Sequence, residues 1–183
     1  MAAVPPEEAV AHLDEFLTVR RDAAAYRWTV PEQWHLTLAF AEDVPDRSLD
    51  DLEGRLERAA AKRRPVRLRL AGGGAFPHVD RARVLFAGLD TDEAAHTELD
   101  RLATGCRTAL AKAGARVDGQ RFRAHVTLAR LGHPDNVTSW VRLLDAYEGP
   151  EWELDEVALV ASYLGEGPRR RPRHEVVGTY ALG

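Results

Sequence analysis

His35-Leu36-Thr37-Leu38-Ala39 recurs as His125-Val126-Thr127-Leu128-Ala129, the two copies lying close to half of the 183 residues apart. In an extended strand, side chains two positions apart share a face. His35 and Thr37 therefore project together, with Leu36 and Leu38 turned the other way, toward a core. His125 and Thr127 repeat the arrangement. A single His-x-Thr is ordinary in a strand, where a half-buried histidine bonds to a neighbour. Two copies that share His-apolar-Thr-Leu-Ala point to a site. If the two halves of the chain face one another, they present two imidazoles and two hydroxyls to one cleft.

Outward from these motifs, strands and helices are interspersed. A helix opens at Pro6 and places Val10, Leu13 and Leu17 on one face. Tyr26 to Phe40 reads as a strand pair broken by Pro31. Ser48, with Asp51 three residues on, resembles a capping box for a helix carrying Leu49, Leu52, Leu56 and Ala60 on one face. Val66, Leu68 and Leu70 alternate with arginines as a strand, and Gly72-Gly73-Gly74 reads as the turn that closes it. Val84 to Leu89 is a strand. Glu93 to Ala113 is a helix with Leu99, Leu102, Cys106 and Leu110 inward and Gly114 as its stop. Phe122 to Leu131 is a strand and Val137 to Tyr147 a short helix. Trp152 to Tyr163 and Glu175 to Leu182 are final strands, joined by a loop with Arg169, Arg170, Arg171 and Arg173. This order argues for α+β rather than a wound parallel sheet.

Composition bounds the rest. Apolar residues make up 45% and charged residues 30% of the chain, a globular balance that excludes disorder and fibrous repeats. No apolar run approaches the ~18 residues of a membrane span, and the acidic start lacks the features of a signal peptide. One cysteine, Cys106, suits a reducing compartment, so the expectation is a cytoplasmic protein. The net charge of −4 excludes a chain that is an electrostatic nucleic-acid trap as a whole. Only Lys62 and Lys112 are lysines among 25 basic residues. Coding bias accounts for that, and so do arginines that grip phosphate through bidentate contacts.

The motifs and their surroundings resemble the 2H phosphoesterase superfamily, and within it the bacterial and archaeal RNA 2′,3′-cyclic phosphodiesterases long labelled 2′-5′ RNA ligases. The likeness extends over Arg27-Trp28, Pro31-Glu32-Gln33-Trp34, Phe76-Pro77, Arg83-Val84-Leu85-Phe86, Phe122 to Arg130, and Ser162-Tyr163-Leu164 with Gly167-Pro168. Two departures stand out. Only Ala2-Ala3-Val4 precede the Pro-Pro-Glu segment where the family has a full strand, and Ala41-Glu42 replace the usual Leu-Gly after the first motif. The resemblance implies one domain over 1–183 made of two pseudo-symmetric lobes around a central cleft. Each lobe would be an antiparallel sheet with flanking helices and would contribute one motif.

It also implies a chemistry. A cyclic phosphodiester opens when water attacks phosphorus and one ribose oxygen leaves. An unperturbed imidazole pKa near ~6.5 suits both the base and the acid of that step. By resemblance His35 is the proton donor and His125 the acceptor; the near-symmetry of the motifs does not say which is which. Thr37 and Thr127 would bind the non-bridging phosphate oxygens. Arg130 is a further phosphate-binding candidate, yet it lies five positions after His125, which in an unbroken strand turns it to the opposite face. Phe40 occupies the matching place after the first motif and reads as packing. His12, His78, His96, His133 and His174 form no pair at zinc-ligand spacing, so neither metal nor cofactor is expected. The expected partner of this monomer is RNA with a 2′,3′-cyclic phosphate end, or a cyclic nucleotide. 2′-5′ RNA ligation, another 2H substrate, and a module that binds RNA 3′ ends without turnover remain as alternatives.

Overall fold

The computed structural model describes residues 1–119, 121–163, 165 and 172–183. It is an α+β arrangement of a nine-stranded antiparallel sheet and four helices. In chain order the elements are β1 (Ala2–Ala3), α1 (Glu7–Arg21), β2 (Arg27–Trp28), β3 (Leu36–Thr37), α2 (Leu49–Ala60), β4 (Val66–Phe76), β5 (Ala82–Asp90), α3 (Glu93–Lys112), β6 (Val126–Asp135), α4 (Thr138–Asp145), β7 (Glu148–Leu154), β8 (Glu156–Tyr163) and β9 (Arg173–Ala181). The sheet runs β7-β4-β5-β6-β3-β1-β8-β9, with β2 added to β6. Apart from β2, four strands of that path lie on each side of the β3–β6 seam, and hydrogen bonding continues across it. The two residues of β1 suffice as a strand: Ala2 pairs with Thr37 of β3 and Ala158 of β8.

Two cores lie behind the sheet. Leu36 and Leu38 pack with Leu52, Leu56, Leu99, Leu102 and Cys106 of α2 and α3. Val126 and Leu128 pack with Leu13 and Leu17 of α1 and Trp140 and Leu144 of α4. Each motif therefore drives its apolar side chains into its own helix pair. The helices follow the spacing of their leucines. Pro6 flanks α1, while α3 is capped by Asp92, whose carboxylate accepts from the Ala95 amide at 2.7 Å. Gly114, at φ +86°, follows that helix in the left-handed region.

Three expectations change. Gly72-Gly73-Gly74 does not close a strand, because β4 runs through it to Phe76 with a bulge between Leu70 and Gly73. Gly72 takes φ +66° there, and at Gly74 a Cβ would collide with the Phe86 ring that lies across it. The span from Trp152 to Tyr163 is not one strand. It breaks at Asp155 into β7, on one edge beside β4, and β8, on the far side of the seam. Ser48 precedes α2 but makes no side-chain capping bond. Of the arginine-rich loop, Arg169, Arg170 and Arg171 lie outside the described residues.

Candidate functional site

The single residue pair of the seam positions everything else. Leu36 of β3 is registered with Val126 of β6 in antiparallel sense, which sets His35 opposite Thr127 and Thr37 opposite His125. Directly opposed residues of an antiparallel pair point to the same face, with Cβ atoms about 4.5–5.5 Å apart, and diagonal neighbours stand about 7–8 Å apart. Leu36 and Val126 are buried on one side, 3% and 0% exposed, so all four polar side chains rise from the other. They are half-buried there.

The two imidazoles are held alike. Nδ1 of His35 lies 2.8 Å from the Gln33 carbonyl oxygen, and Nδ1 of His125 lies 2.7 Å from that of Arg123. A carbonyl only accepts, so both Nδ1 atoms carry the proton and both Nε2 atoms are left to meet a ligand. The partner lies two residues back in each case, a contact that extended backbone supplies locally.

Surroundings differ between the halves. His125 packs against Phe76 and Phe86 at 5.0 and 5.1 Å between ring centroids, and the Arg123 guanidinium lies 4.8 Å from the Phe76 centroid. A cavity of about 660 Å³ opens beside this aromatic wall, reaching His78 and Asp80. His35 instead has His174 of β9 at 5.2 Å. Burial lowers the pKa of both motif histidines against the opposing pull of the carbonyl bonds. The positive charge of His174 adds to that at His35, and those of Arg123 and Arg130 add to it at His125.

The effect of Arg130 on His125 corrects the alternation argument. Phe86 pairs with Thr127 but Leu85 pairs with Ala129, so Leu128 is the extra residue of a β-bulge. Leu128 and Ala129 are both buried, and the next exposed side chain is Arg130, returned to the side of His125. Phe40 is also corrected: it is 49% exposed rather than packed. His174, Phe76, Phe86 and Arg123 received no role from the sequence. For His174 no local signal exists, since the bulge at Val177, between the Leu159–Gly178 and Val160–Val176 pairs, decides its direction. Arg173 bonds Glu175 at 2.6 Å and covers the Tyr163 ring, within its own hairpin. Among the described residues, no three His, Cys, Asp or Glu side chains converge as metal ligands, and no helix is long and apolar enough to cross a membrane.

Residues 5–166 match the model of the 2′-5′ RNA ligase superfamily. The chain belongs to this superfamily. Within it, the chain is 34% identical to a Thermus thermophilus protein named RNA 2′,3′-cyclic phosphodiesterase, over 87% of this chain and 78% of that one. It is 32% identical to an Aeropyrum pernix protein of the same name, over 79% and 82%. A crystal structure of a Thermus thermophilus protein superposes with a TM-score of 0.77 at 32% identity, covering 99% of this chain and 95% of the other. E. coli LigT complexed with 3′-AMP shares the fold at a TM-score of 0.78 and 23% identity, covering 99% and 95%.

Proposed function

We propose that this chain is a hydrolase that opens RNA or nucleoside 2′,3′-cyclic phosphates to 2′-phosphomonoesters, with 1–183 acting as one domain whose halves each contribute one motif. The reading rests above all on the Leu36–Val126 register, which gathers His35, Thr37, His125 and Thr127 on one face. The names of relatives at 34% and 32% identity support the same substrate class.

Neutral His125 takes a proton from water at Nε2 as the water oxygen bonds to phosphorus. The bond from phosphorus to the ribose 3′ oxygen breaks, its electron pair passes to that oxygen, and protonated His35 delivers a proton from Nε2. Attack and departure occur on opposite sides of phosphorus, so two imidazoles flanking one phosphate match the path. Each positioned acid or base contributes roughly 10²–10⁴-fold. Thr37 and Thr127 donate their hydroxyl protons to the non-bridging oxygens, and Arg130 adds positive charge from the His125 side. The reaction needs no cofactor or metal.

The test is turnover of an oligonucleotide ending in a 2′,3′-cyclic phosphate, followed by identification of the product. A 2′-phosphate is expected, made equally well in EDTA, and His35→Ala and His125→Ala each reduce the rate at least about 10²-fold. A chelator-sensitive rate, or a joined 2′-5′ product with no hydrolysis, overturns the proposal.

A further inference from the structure

A second groove lies on the other side of the molecule. α2 and α3 pack behind the sheet in the core that contains Leu36, whose side chain points away from His35 and Thr37. The outward faces of these helices enclose a groove of about 650 Å³. Its floor is cut low by small residues, Ala59, Gly105 and Ala109, and a Cβ on Gly105 would sit 3.5 Å from Ala59.

Six cations line it against one carboxylate, Asp100, in a chain whose net charge is −4. Arg55 is paired with Asp51, and Arg63 and Arg101 share Glu98. Arg58, Lys62 and Lys112 are exposed, with no acid within ion-pair distance among the described residues. Both lysines of the protein are thus here. Arg55 and Arg58, at i and i+3 on α2, line the groove together with Lys62 in the turn just past the helix end. That charge pattern complements a chain of phosphates.

Two hydroxyls open on the same groove. Thr104 Oγ1 donates to the Asp100 carbonyl and Thr108 Oγ1 to the Thr104 carbonyl, each at 2.9 Å. With their protons committed to the helix, these oxygens only accept. A ribose-phosphate strand offers both, anions for the cations and 2′-hydroxyl donors for these two oxygens.

We propose that the α2–α3 groove is a second RNA-contacting site, with phosphates on Arg58, Lys62 and Lys112 and ribose 2′-hydroxyls on Thr104 and Thr108. It goes beyond the catalytic reading and does not depend on it. The experiment is titration of the full chain into labelled single-stranded RNA with a 3′-hydroxyl end, and into DNA of the same sequence, across a salt series.

Replacing Arg58, Lys62 and Lys112 together by Gln is expected to weaken RNA binding about tenfold at low salt and to reduce the salt slope by about 2. Hydrolysis of a small 2′,3′-cyclic nucleotide by the same variant should be unchanged, which also reports that it is folded. Thr104→Val with Thr108→Val should lower the preference for RNA over DNA while leaving DNA binding as it was. Unaltered RNA affinity in the Gln variant, or equal affinity of the parent for RNA and DNA, overturns the proposal. Since the probe carries no cyclic phosphate, either result is separable from failure of the hydrolytic reading.

Discussion

His35 and His125 each spend the Nδ1 proton on a carbonyl two residues back, so each is left with the same nitrogen, Nε2, as acceptor in the same tautomer. Burial holds both pKa values down. For the free protein this displaces both limbs of the bell-shaped kcat/KM profile to the acid side of ~6.5. Bound phosphodiester stabilises imidazolium, so the kcat profile should lie at higher pH. Coincident profiles, or a kcat/KM optimum above neutrality, would contradict the assignment. Thr37→Val and Thr127→Val remove hydrogen bonds that strengthen as charge builds on phosphate, and each should lower kcat by about 10²–10³-fold with little change in thermal stability. Cys106 shows the opposite use of burial. It is 1% exposed within α3, and desolvation pushes its thiol up to about 11. It should resist alkylation in the folded protein and react once the protein is denatured.

Strand irregularities, at the scale of elements, decide which side chains reach the site. The bulge at Leu128 turns Arg130 toward His125, that at Val177 sets the direction of His174, and that before Gly73 carries β4 onward to Phe76. Each is one or two residues that shift the two-residue alternation, and nothing in the local pattern of apolar and polar residues marks them. The Phe86 ring fills the space that Gly74 leaves open and supports His125. Gly74→Ala should therefore destabilise the fold by about 1–3 kcal/mol through overpacking. Its loss of activity should exceed what the unfolded fraction explains, as measured by denaturant titration beside turnover. Equal activity per folded molecule would show that Phe86 does not position the histidine.

Across the whole molecule, His35, His125 and His174 all have pKa values lowered by burial. Between the lowered folded values and the unfolded value of ~6.5, the unfolded chain binds more protons, so stability rises with pH. Their contribution is complete above ~6.5 and is lost as pH falls through the folded values. Thermal denaturation should thus show a falling Tm on acidification, and His35→Gln should flatten the slope. A slope unchanged in that variant would assign the pH dependence to other groups. Helix positions were legible because their leucines repeat at helical spacing. The union of the two halves into one sheet was not, because it depends on a seam of one registered pair.

The repeated pentapeptide sufficed to pick out the candidate site, because residues two apart in a strand share a face; a phosphate as its target came from the resemblance to the 2H phosphoesterases. Local backbone likewise placed each histidine against its own upstream carbonyl. What long-range contact alone settled was that the two copies lie in adjacent strands, centred on Leu36 and Val126. The same holds for the bulges that bring Arg130 and His174 to the site, and for the helix pairing that gathers Arg58, Lys62 and Lys112 around one groove. Pairing partners and bulges arise from how separate segments share a core, and that free energy is written in no single stretch of chain.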